Sequence, residues 1–437
     1  MQGSPTPSPA ESAGPHHILD ELSWRGLVAQ HSDEAALREH LSAPGQTLYC
    51  GFDPTASSLH VGSLVPLLAL RRFQLAGHVP IAVLGGGTGL VGDPSGKAEE
   101  RRLQTTDVVE EWKAAIREQM GRIVDLQDGR AQLVDNFDWL GKLSAIELLR
   151  DIGKHFSVNA MIAKESVSAR LDREGVGISY TEFSYMVLQA YDYLHLYEAF
   201  GCRLQVGGSD QWGNITAGMD LIRRKHAADA HVLTFPLLTT SSGKKFGKTE
   251  AGTVWLDAAR TSPYHFYQYW INTEDADVAR FLRYFTFLGA EEIGELERAL
   301  AEKPEAREAQ RRLAFEVTSI VHGRAAAERA RATSQALFEG GELSSVDAGM
   351  LEAALADAPR VALAGGEPTP SLTDLLIRAS LFPSKGEARR ALKAGGVYCN
   401  DTRVTEEQAS AVPESFLHGR FLVLRRGKKQ YALVVRG

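Results

Sequence analysis

Between residues 47 and 150 short apolar runs alternate with longer amphipathic ones, and that rhythm constrains the fold more than any other feature of the chain. Residues 47–51, 79–84 and 132–134 read as strands, and 64–76, 107–124 and 145–150 as helices between and after them. Ahead of them, residues 18–41 read as one amphipathic helix ending near Pro44-Gly45. Strands joined by crossover helices make a parallel sheet, so the pattern predicts an α/β domain with a Rossmann-like parallel sheet. Ligands of such sheets collect beyond the carboxyl ends of the strands, where this sequence places its glycines.

The first such corner is YCGFDPTASSLHVGSL, residues 49–64. A strand, a Gly-Phe-Asp-Pro-Thr turn and a helix start point unpaired backbone N–H groups at whatever occupies the turn, which makes an anion site. Thr55 and His60 can donate to phosphate oxygens, and Gly51 and Gly62 let a flat group lie on the backbone. The second corner, GGGTGLVGDPSGK (85–97), imitates two nucleotide motifs and satisfies neither. Asp93-Pro94 stands where a dinucleotide-binding helix should open, and Val91 stands where a P-loop needs its upstream glycine. Asp93 can accept from an ammonium group or serve as a turn residue; Lys97 and Arg101 can meet phosphate or RNA, or stay solvated.

Residues 181–200, TEFSYMVLQAYDYLHLYEAF, read as a long helix carrying Tyr185, Gln189 and Asp192 at i, i+4 and i+7. Three polar groups on one face of an apolar helix need a polar ligand, water or one another, because burying each unpaired costs about 1–3 kcal/mol. The next strand, 202–206, runs into GGSDQWGN and another helix, so a third corner can face the first across a crevice. Asp210 there reads equally as a helix N-cap. TTSSGKKFGKT, 239–249, is a Gly/Ser-rich loop with Lys244, Lys245 and Lys248.

Past residue 261 the chain is helix-rich to about 355, and 359–370 is a Pro/Gly-containing linker. Ser384 and Glu387 form a capping-box pattern opening a helix with Lys385, Arg389 and Lys393 on one face. Residues 421–424 and 431–435 read as a hairpin whose tip holds Arg425, Arg426, Lys428 and Lys429. From 371 onward twelve lysines and arginines face six aspartates and glutamates, although the whole chain is at −7. A basic terminal module on an acidic body suggests a polyanion partner at that end.

The 437 residues, 44% hydrophobic and 24% charged, suffice for two or three globular domains. No run of eighteen apolar residues appears, which argues against a membrane span. Residues 1–17 are Pro/Ser-rich, without a basic start or an apolar core, and read as a disordered extension rather than a signal peptide. Three separated cysteines, Cys50, Cys202 and Cys399, argue against a disulfide framework or a CxxC zinc site; the expected compartment is the cytoplasm.

His60-Val61-Gly62-Ser63 resembles the HIGH signature of class I aminoacyl-tRNA synthetases, and Lys245-Phe246-Gly247-Lys248-Thr249 resembles their KMSKS signature. The whole of YCGFDPTASSLHVG is similar to the tyrosyl-tRNA synthetase form, and the resemblance runs through nearly all of the chain after the leader. It implies a catalytic domain at 18–238, a signature loop and connection at 239–260, a helical anticodon-side domain at 261–358 and, beyond the linker at 359–370, a small α+β S4-like RNA-binding domain at 371–437. It implies that Tyr185, Gln189 and Asp93 surround the α-ammonium of tyrosine, that Asp192 and Tyr49 meet its hydroxyl and that Gln211 meets its carboxylate. ATP would lie against Gly51, Asp53, His60, Gly62, Ser63, Gly208, Asp210 and Lys248. Thr55, His60, Lys245, Lys248 and Thr249 would stabilise charge on the phosphates. Lys385, Arg389, Lys393, Arg425, Arg426, Lys428 and Lys429 would meet tRNA. Mg²⁺ would arrive with ATP rather than in a protein metal cage, and a homodimer is implied.

The reaction so implied is attack of the tyrosine carboxylate on the ATP α-phosphate, then transfer of the tyrosyl group to tRNA(Tyr). A carboxylate with a pKa of about 3.5 is already ionised and needs no general base, and no editing domain is expected where a hydroxyl is the recognised group. The chain departs from the pattern at Ser63, where the HIGH signature has its second histidine; Ser63 is expected to cap the following helix and donate one hydrogen bond. Two other readings are a tryptophan-activating sister enzyme, for which Tyr49 and Asp192 are poor partners, and an inactive RNA-binding relative.

Overall fold

The structure is a computed structural model that describes residues 17–95, 105–164, 167–168, 178–241, 246–249, 252–338, 342–366, 368–405, 416–427 and 430–437. The chain divides into two compact units, Met1–Asp257 with Glu274–Arg298, and Ala258–Thr273 with Ala299–Gly437. In the first, the elements run α1 (Ile18–Trp24), β1 (Gln30–His31), α2 (Glu34–Ser42), β2 (Thr47–Phe52), α3 (Leu64–Leu75) and β3 (Val79–Leu84). They continue through α4 (Thr106–Ile123), β4 (Gln132–Asp135), α5 (Tyr180–Phe200), β5 (Leu204–Gly208), α6 (Trp212–His226) and β6 (His231–Phe235).

The strands form one sheet in the order β1-β6-β5-β2-β3-β4, parallel except for the edge strand β1. Every residue of β6 is buried, and every residue of β3 but Val79, as befits strands covered on both faces. α5 and α6 pack beside the sheet through Ala190, Tyr193, Leu194, Leu221 and Ile222, and the Tyr193 hydroxyl donates to the His231 carbonyl at 2.7 Å.

Strand order reverses between β2 and β5, and in open α/β sheets a ligand crevice lies outside the carboxyl ends at such a point. The register shows how this one opens. β2 pairs with β3 from Thr47↔Val79 to Phe52↔Leu84, but with β5 only at Leu48↔Leu204 and Tyr49↔Gln205. Beyond Tyr49 the two strands part.

Three stretches differ from the sequence-based expectation. The single helix expected over 18–41 is broken: α1 ends at Trp24, Asp33 caps α2 by accepting from the Ala36 N–H at 2.9 Å, and β1 lies between them. The open edge of β6 offers unpaired backbone groups that β1 satisfies, which a continuous helix would have left exposed. The helix expected at 145–150 is one short turn, Ala145–Glu147, running into a π-helical turn at Leu148–Ile152. The third is the start of the helical region. After the short pair β7 (Lys248–Thr249) and β8 (Gly252–Thr253), the helix α7 (Asp275–Phe285) belongs to the first unit rather than to a separate helical domain.

In the second unit, helices Pro263–Ile271, Glu308–His322 and Arg324–Phe338 bury Phe266, Trp270, Leu313, Val317 and Ala327. Strands β9 (Arg360–Leu363), β10 (Val397–Cys399), β11 (Thr402–Arg403), β12 (Phe421–Arg426) and β13 (Gln430–Arg436) form a sheet in the order β11-β10-β12-β13-β9. β9 lies inside the stretch expected to be a linker. Its alternating burial turns Val361 and Leu363 inward, and β13 supplies a parallel edge for it. Among the described residues no helix is long and apolar enough to cross a membrane.

Candidate active site

Where β2 and β5 part there is a cavity of about 300 Å³. Its wall brings together Tyr49, Gly51, Asp53, Thr55, His60, Gly62, Ser63, Asp93, Tyr185, Gln189, Asp192, Gly208 and Gln211, drawn from all three corners and from α5.

The inner end is built around Asp192, a carboxyl group 4% exposed. Trp139 Nε1 donates to its Oδ1 at 2.7 Å and Asn136 Nδ2 to its Oδ2 at 2.9 Å. Asn136 cannot turn round, because its own Oδ1 accepts from the Gly87 N–H at 2.7 Å. The same amide donates to Thr88 Oγ1 at 2.9 Å, which sends the Thr88 hydroxyl hydrogen to Asp53 Oδ1 at 2.7 Å. Tyr185 donates to the other oxygen of Asp53 at 2.8 Å. Every donor in this chain of bonds therefore has a fixed direction. Gly85 permits it: a Cβ there would lie 2.0 Å from Asp53 Oδ1.

Burial pushes the Asp192 carboxyl up to about 8; the Asn136 and Trp139 donors oppose that rise, and the charges of Asp53 and Asp135 add to it. No cation among the described residues pairs with it. Beside it, the hydroxyl of Tyr49 and the amide oxygens of Gln189 and Gln205 are buried without a hydrogen-bond partner among the described residues. Such groups cost about 1–3 kcal/mol each when left unmade, so this end of the cavity suits a ligand with polar groups of its own.

Midway, Gln211 Nε2 donates to Asp93 Oδ2 at 2.7 Å, while Asn214 Nδ2 donates to Gln211 Oε1 at 3.2 Å. Asp93 Oδ1 accepts from the Ser95 N–H at 2.9 Å. An anionic oxygen and an amide thus stand side by side, a pairing that suits a zwitterion.

The outer end is held by backbone. His60 caps the turn Val61–Ser63 by accepting from the Gly62 N–H on Nδ1 at 3.0 Å, which leaves the ring hydrogen of a neutral imidazole on Nε2. Ser63 does not cap α3: it sits in helical φ/ψ, from which its hydroxyl makes no capping bond, and the cap has moved to His60. Residues 59–61 run antiparallel to 254–256, with Val61 N–H donating to Val254 O at 3.1 Å and Leu256 N–H to Leu59 O at 2.9 Å. Val254 N–H in turn reaches Gly247 O at 3.0 Å, and β7 pairs Lys248 with Thr253. The two signatures are therefore neighbours. Gly247 has φ +74°, and a Cβ on it would come 2.8 Å from Val61 Cγ2, so no other residue fits there without displacing the first signature.

Asp210, expected against ATP, is exposed and is not part of the cavity wall. Lys97, Arg101, Lys244, Lys245, Lys428 and Lys429, and the side chains of Lys248 and Thr249, lie outside the described residues. Sequence reading missed Thr88, Asn136, Trp139 and Gln205. Asn136 follows β4 directly, where the rule of strand carboxyl ends could have found it, and Gln205 is a polar residue inside an apolar strand. Thr88 and Trp139 carried no signal.

In the terminal module, Lys385, Arg389 and Lys393 are exposed on a helix that buries Ala388 and Leu392 on its other side. Lys385 also pairs with Asp374 at 2.5 Å. Arg425 and Arg426, expected at the free tip of the hairpin, belong to β12 and turn back onto the module. Arg425 lies 3.9 Å over the Tyr398 ring and donates to Gly427 O at 2.7 Å; Arg426 lies 4.4 Å over Phe382 and donates to Leu381 O at 2.8 Å.

Residues 44–339 match the family model for class I tRNA synthetases of the tryptophan and tyrosine type, and 350–434 match the tyrosine–tRNA ligase SYY-like C-terminal domain. A tyrosine–tRNA ligase of Geobacillus kaustophilus is 55% identical over 420 residues, spanning 95% of this chain and 99% of that one. The chain belongs to the tyrosyl-tRNA synthetase family. It is an aminoacyl-tRNA ligase of class I fold, with a parallel-sheet catalytic domain. A tyrosine–tRNA ligase of Nocardia farcinica is likewise 55% identical, over 96% of this chain and 98% of that one. Among solved structures, a C-terminally truncated mitochondrial tyrosyl-tRNA synthetase of Aspergillus nidulans superposes with a TM-score of 0.67 at 30% identity, covering 74% of this chain and 94% of that one.

Proposed function

We infer that the cavity binds tyrosine at its inner end and ATP at its outer end. The activity is tyrosine–tRNA ligation: L-tyrosine and ATP give tyrosyl-adenylate and pyrophosphate, and tyrosine then passes to the 3′-terminal adenosine of tRNA(Tyr). The observation that carries the tyrosine assignment is Asp192, locked by Trp139 and Asn136 beside the unpartnered hydroxyl of Tyr49. The substrate phenol donates to Asp192 and accepts from Tyr49. Phenylalanine would leave the Tyr49 hydroxyl unpaired and Asp192 one hydrogen bond short in a buried site, which is a strong basis for rejecting it. An indole offers no acceptor to Tyr49, which speaks against the tryptophan reading, as does the identity of the relatives.

Asp93 accepts from the α-ammonium together with Tyr185 and Gln189, and Gln211 donates its second amide hydrogen to the carboxylate. That carboxylate attacks as it stands, so the protein supplies position and charge rather than a base. Thr55, His60, Lys245, Lys248 and Thr249 stabilise the developing charge on the phosphates. The backbone ladder that ties 59–61 to 254–256 supports joint action by the two signatures. Gly51, Gly62, Ser63 and Gly208 complete the ATP side, with Asp53 behind them in the inner chain of hydrogen bonds and Asp210 outside the cavity wall, and Mg²⁺ arrives as the counter-ion of ATP.

Lys385, Arg389, Lys393, Lys428 and Lys429 meet tRNA phosphates; Arg425 and Arg426 shape the module instead. Of residues 261–358, those in the second unit, 261–273 and 299–358, act toward the anticodon side. The exposed apolar side chains Phe137, Ile146, Leu149, Val158 and Ile162, all from one stretch of the first unit, suit the interface of a homodimer. The compartment is the cytoplasm.

ATP–pyrophosphate exchange against each of the twenty amino acids without tRNA tests the reading. Exchange with tyrosine alone is the expected result; exchange with tryptophan would overturn the pocket assignment, and none at all would point to an inactive RNA-binding relative.

A further inference from the structure

We propose that α7 is a bracket for the lysine signature, holding Phe246 within it and the segment 239–241 that leads into it, with Asp277 and Phe285 acting as positioning residues for adenylate formation. Sequence reading gave this helix to the anticodon-side domain. The structure assigns it to the catalytic unit.

At the entry to the loop, Asp277 is 2% exposed and accepts on Oδ2 from both the N–H and the hydroxyl of Ser241, each at 2.9 Å. Arg280, one turn on, donates to Asp277 Oδ1 and to Thr239 O, each at 2.6 Å. At the exit, the Phe246 ring lies parallel to Phe285 with centroids 5.5 Å apart, and edge-on to Phe281 at 5.2 Å. Phe246 is the signature's second residue, two positions before Lys248, so its seat on α7 limits where that lysine's backbone can go. The support is itself anchored. Arg72, buried on α3, donates to Tyr284 O at 3.0 Å and Thr286 O at 2.8 Å, at the carboxyl end of α7. α3 is the helix that His60 and Ser63 open, so both signatures bear on one frame.

A backbone held at 239–241 and at Phe246 carries Lys248 from a fixed start, and misplacing a catalytic group by about 1 Å costs on the order of 10² in rate. The inference rests on the reading of Lys248 and Thr249 as phosphate contacts. It adds that their effectiveness is set from α7, outside the cavity.

The test is single-turnover adenylate formation, with tyrosine affinity by equilibrium binding, on the full chain carrying Phe246→Ala, Phe246→Leu, Asp277→Ala or Lys248→Ala. Phe246→Ala and Asp277→Ala should slow adenylate formation roughly 10- to 100-fold with tyrosine affinity changed less than about twofold. Phe246→Leu should recover most of the rate. Phe246→Ala added to Lys248→Ala should cost little more, because the ring acts through the lysine. Full rate in Phe246→Ala alongside a slow Lys248→Ala would overturn the bracket, as would a parallel loss of tyrosine affinity. A full rate in Lys248→Ala would overturn the reading beneath it and the bracket with it.

Discussion

The two ends of the cavity are built in opposite ways. At the inner end side chains do the positioning: Asp192, Asn136, Thr88, Asp53 and Tyr185 form one directed chain of hydrogen bonds, largely closed to water. At the outer end backbone does it: a two-rung ladder joins the signatures, His60 caps a short turn, and the groups proposed to meet phosphate extend from that frame. Recognising one hydroxyl needs a dry, rigid site, because discrimination comes from what is left unpaired when the wrong ligand enters. Stabilising charge that develops only in the transition state needs cations that arrive with the reaction.

Asp192→Ala should break the first half of this comparison most severely. It removes the phenol's acceptor and leaves Trp139 and Asn136 with buried donors unmet, so kcat/KM for tyrosine in pyrophosphate exchange should fall on the order of 10³. His60→Ala attacks the other half. Adenylate formation should slow by about 10² while tyrosine affinity, measured by equilibrium binding, stays within about twofold. A loss of tyrosine binding of comparable size would dissolve the distinction between the ends.

The terminal module offers a smaller contrast of the same kind. Replacing Lys385, Arg389 and Lys393 together by Gln should weaken tRNA binding about tenfold or more near physiological salt, and flatten the dependence of log K on log salt by roughly one per charge that contacts phosphate. Arg425→Ala should instead lower the melting temperature of the module through its lost seat on Tyr398 and its bond to Gly427 O.

The last effect is on stability. The Asp192 carboxyl stands at about 8 in the fold against 3.8 ordinarily, so the unfolded chain binds fewer protons between those values. Stability contributed by this group is complete below about pH 4 and lost as pH rises toward 8. Asp192→Asn, which cannot ionise, should show a shallower fall in melting temperature over that window, as thermal unfolding across pH 5 to 8 without ligand would reveal.

Most of the cavity was legible because it depends on local periodicity. Tyr185, Gln189 and Asp192 share a face at helical spacing whatever surrounds them, and the glycine corners follow from alternating strands and helices. What stayed hidden was tertiary. Asn136 and Trp139 serve a carboxylate more than fifty residues away in sequence, and nothing local marks Trp139 as anything but core. β9 was hidden by its brevity and by a partner strand late in the chain. The place of Arg425 and Arg426 was hidden because composition locates charge but not direction: both lie on strand β12 rather than at the tip, with rings and carbonyls within reach. α7 was misassigned because its bonds to 239–241 and its stacking on Phe246 leave no trace in its own sequence.

The central claim is that Tyr49 and Asp192 read the substrate hydroxyl, and Tyr49→Phe tests it with one atom removed. The measurement is kcat/KM for tyrosine against phenylalanine in pyrophosphate exchange. The account predicts that the ratio falls about tenfold, through a lower tyrosine value and a higher phenylalanine value, since the mutation removes both the bond tyrosine makes and the hydroxyl phenylalanine leaves unpaired. An unchanged ratio, or an equal loss for both amino acids, would contradict it.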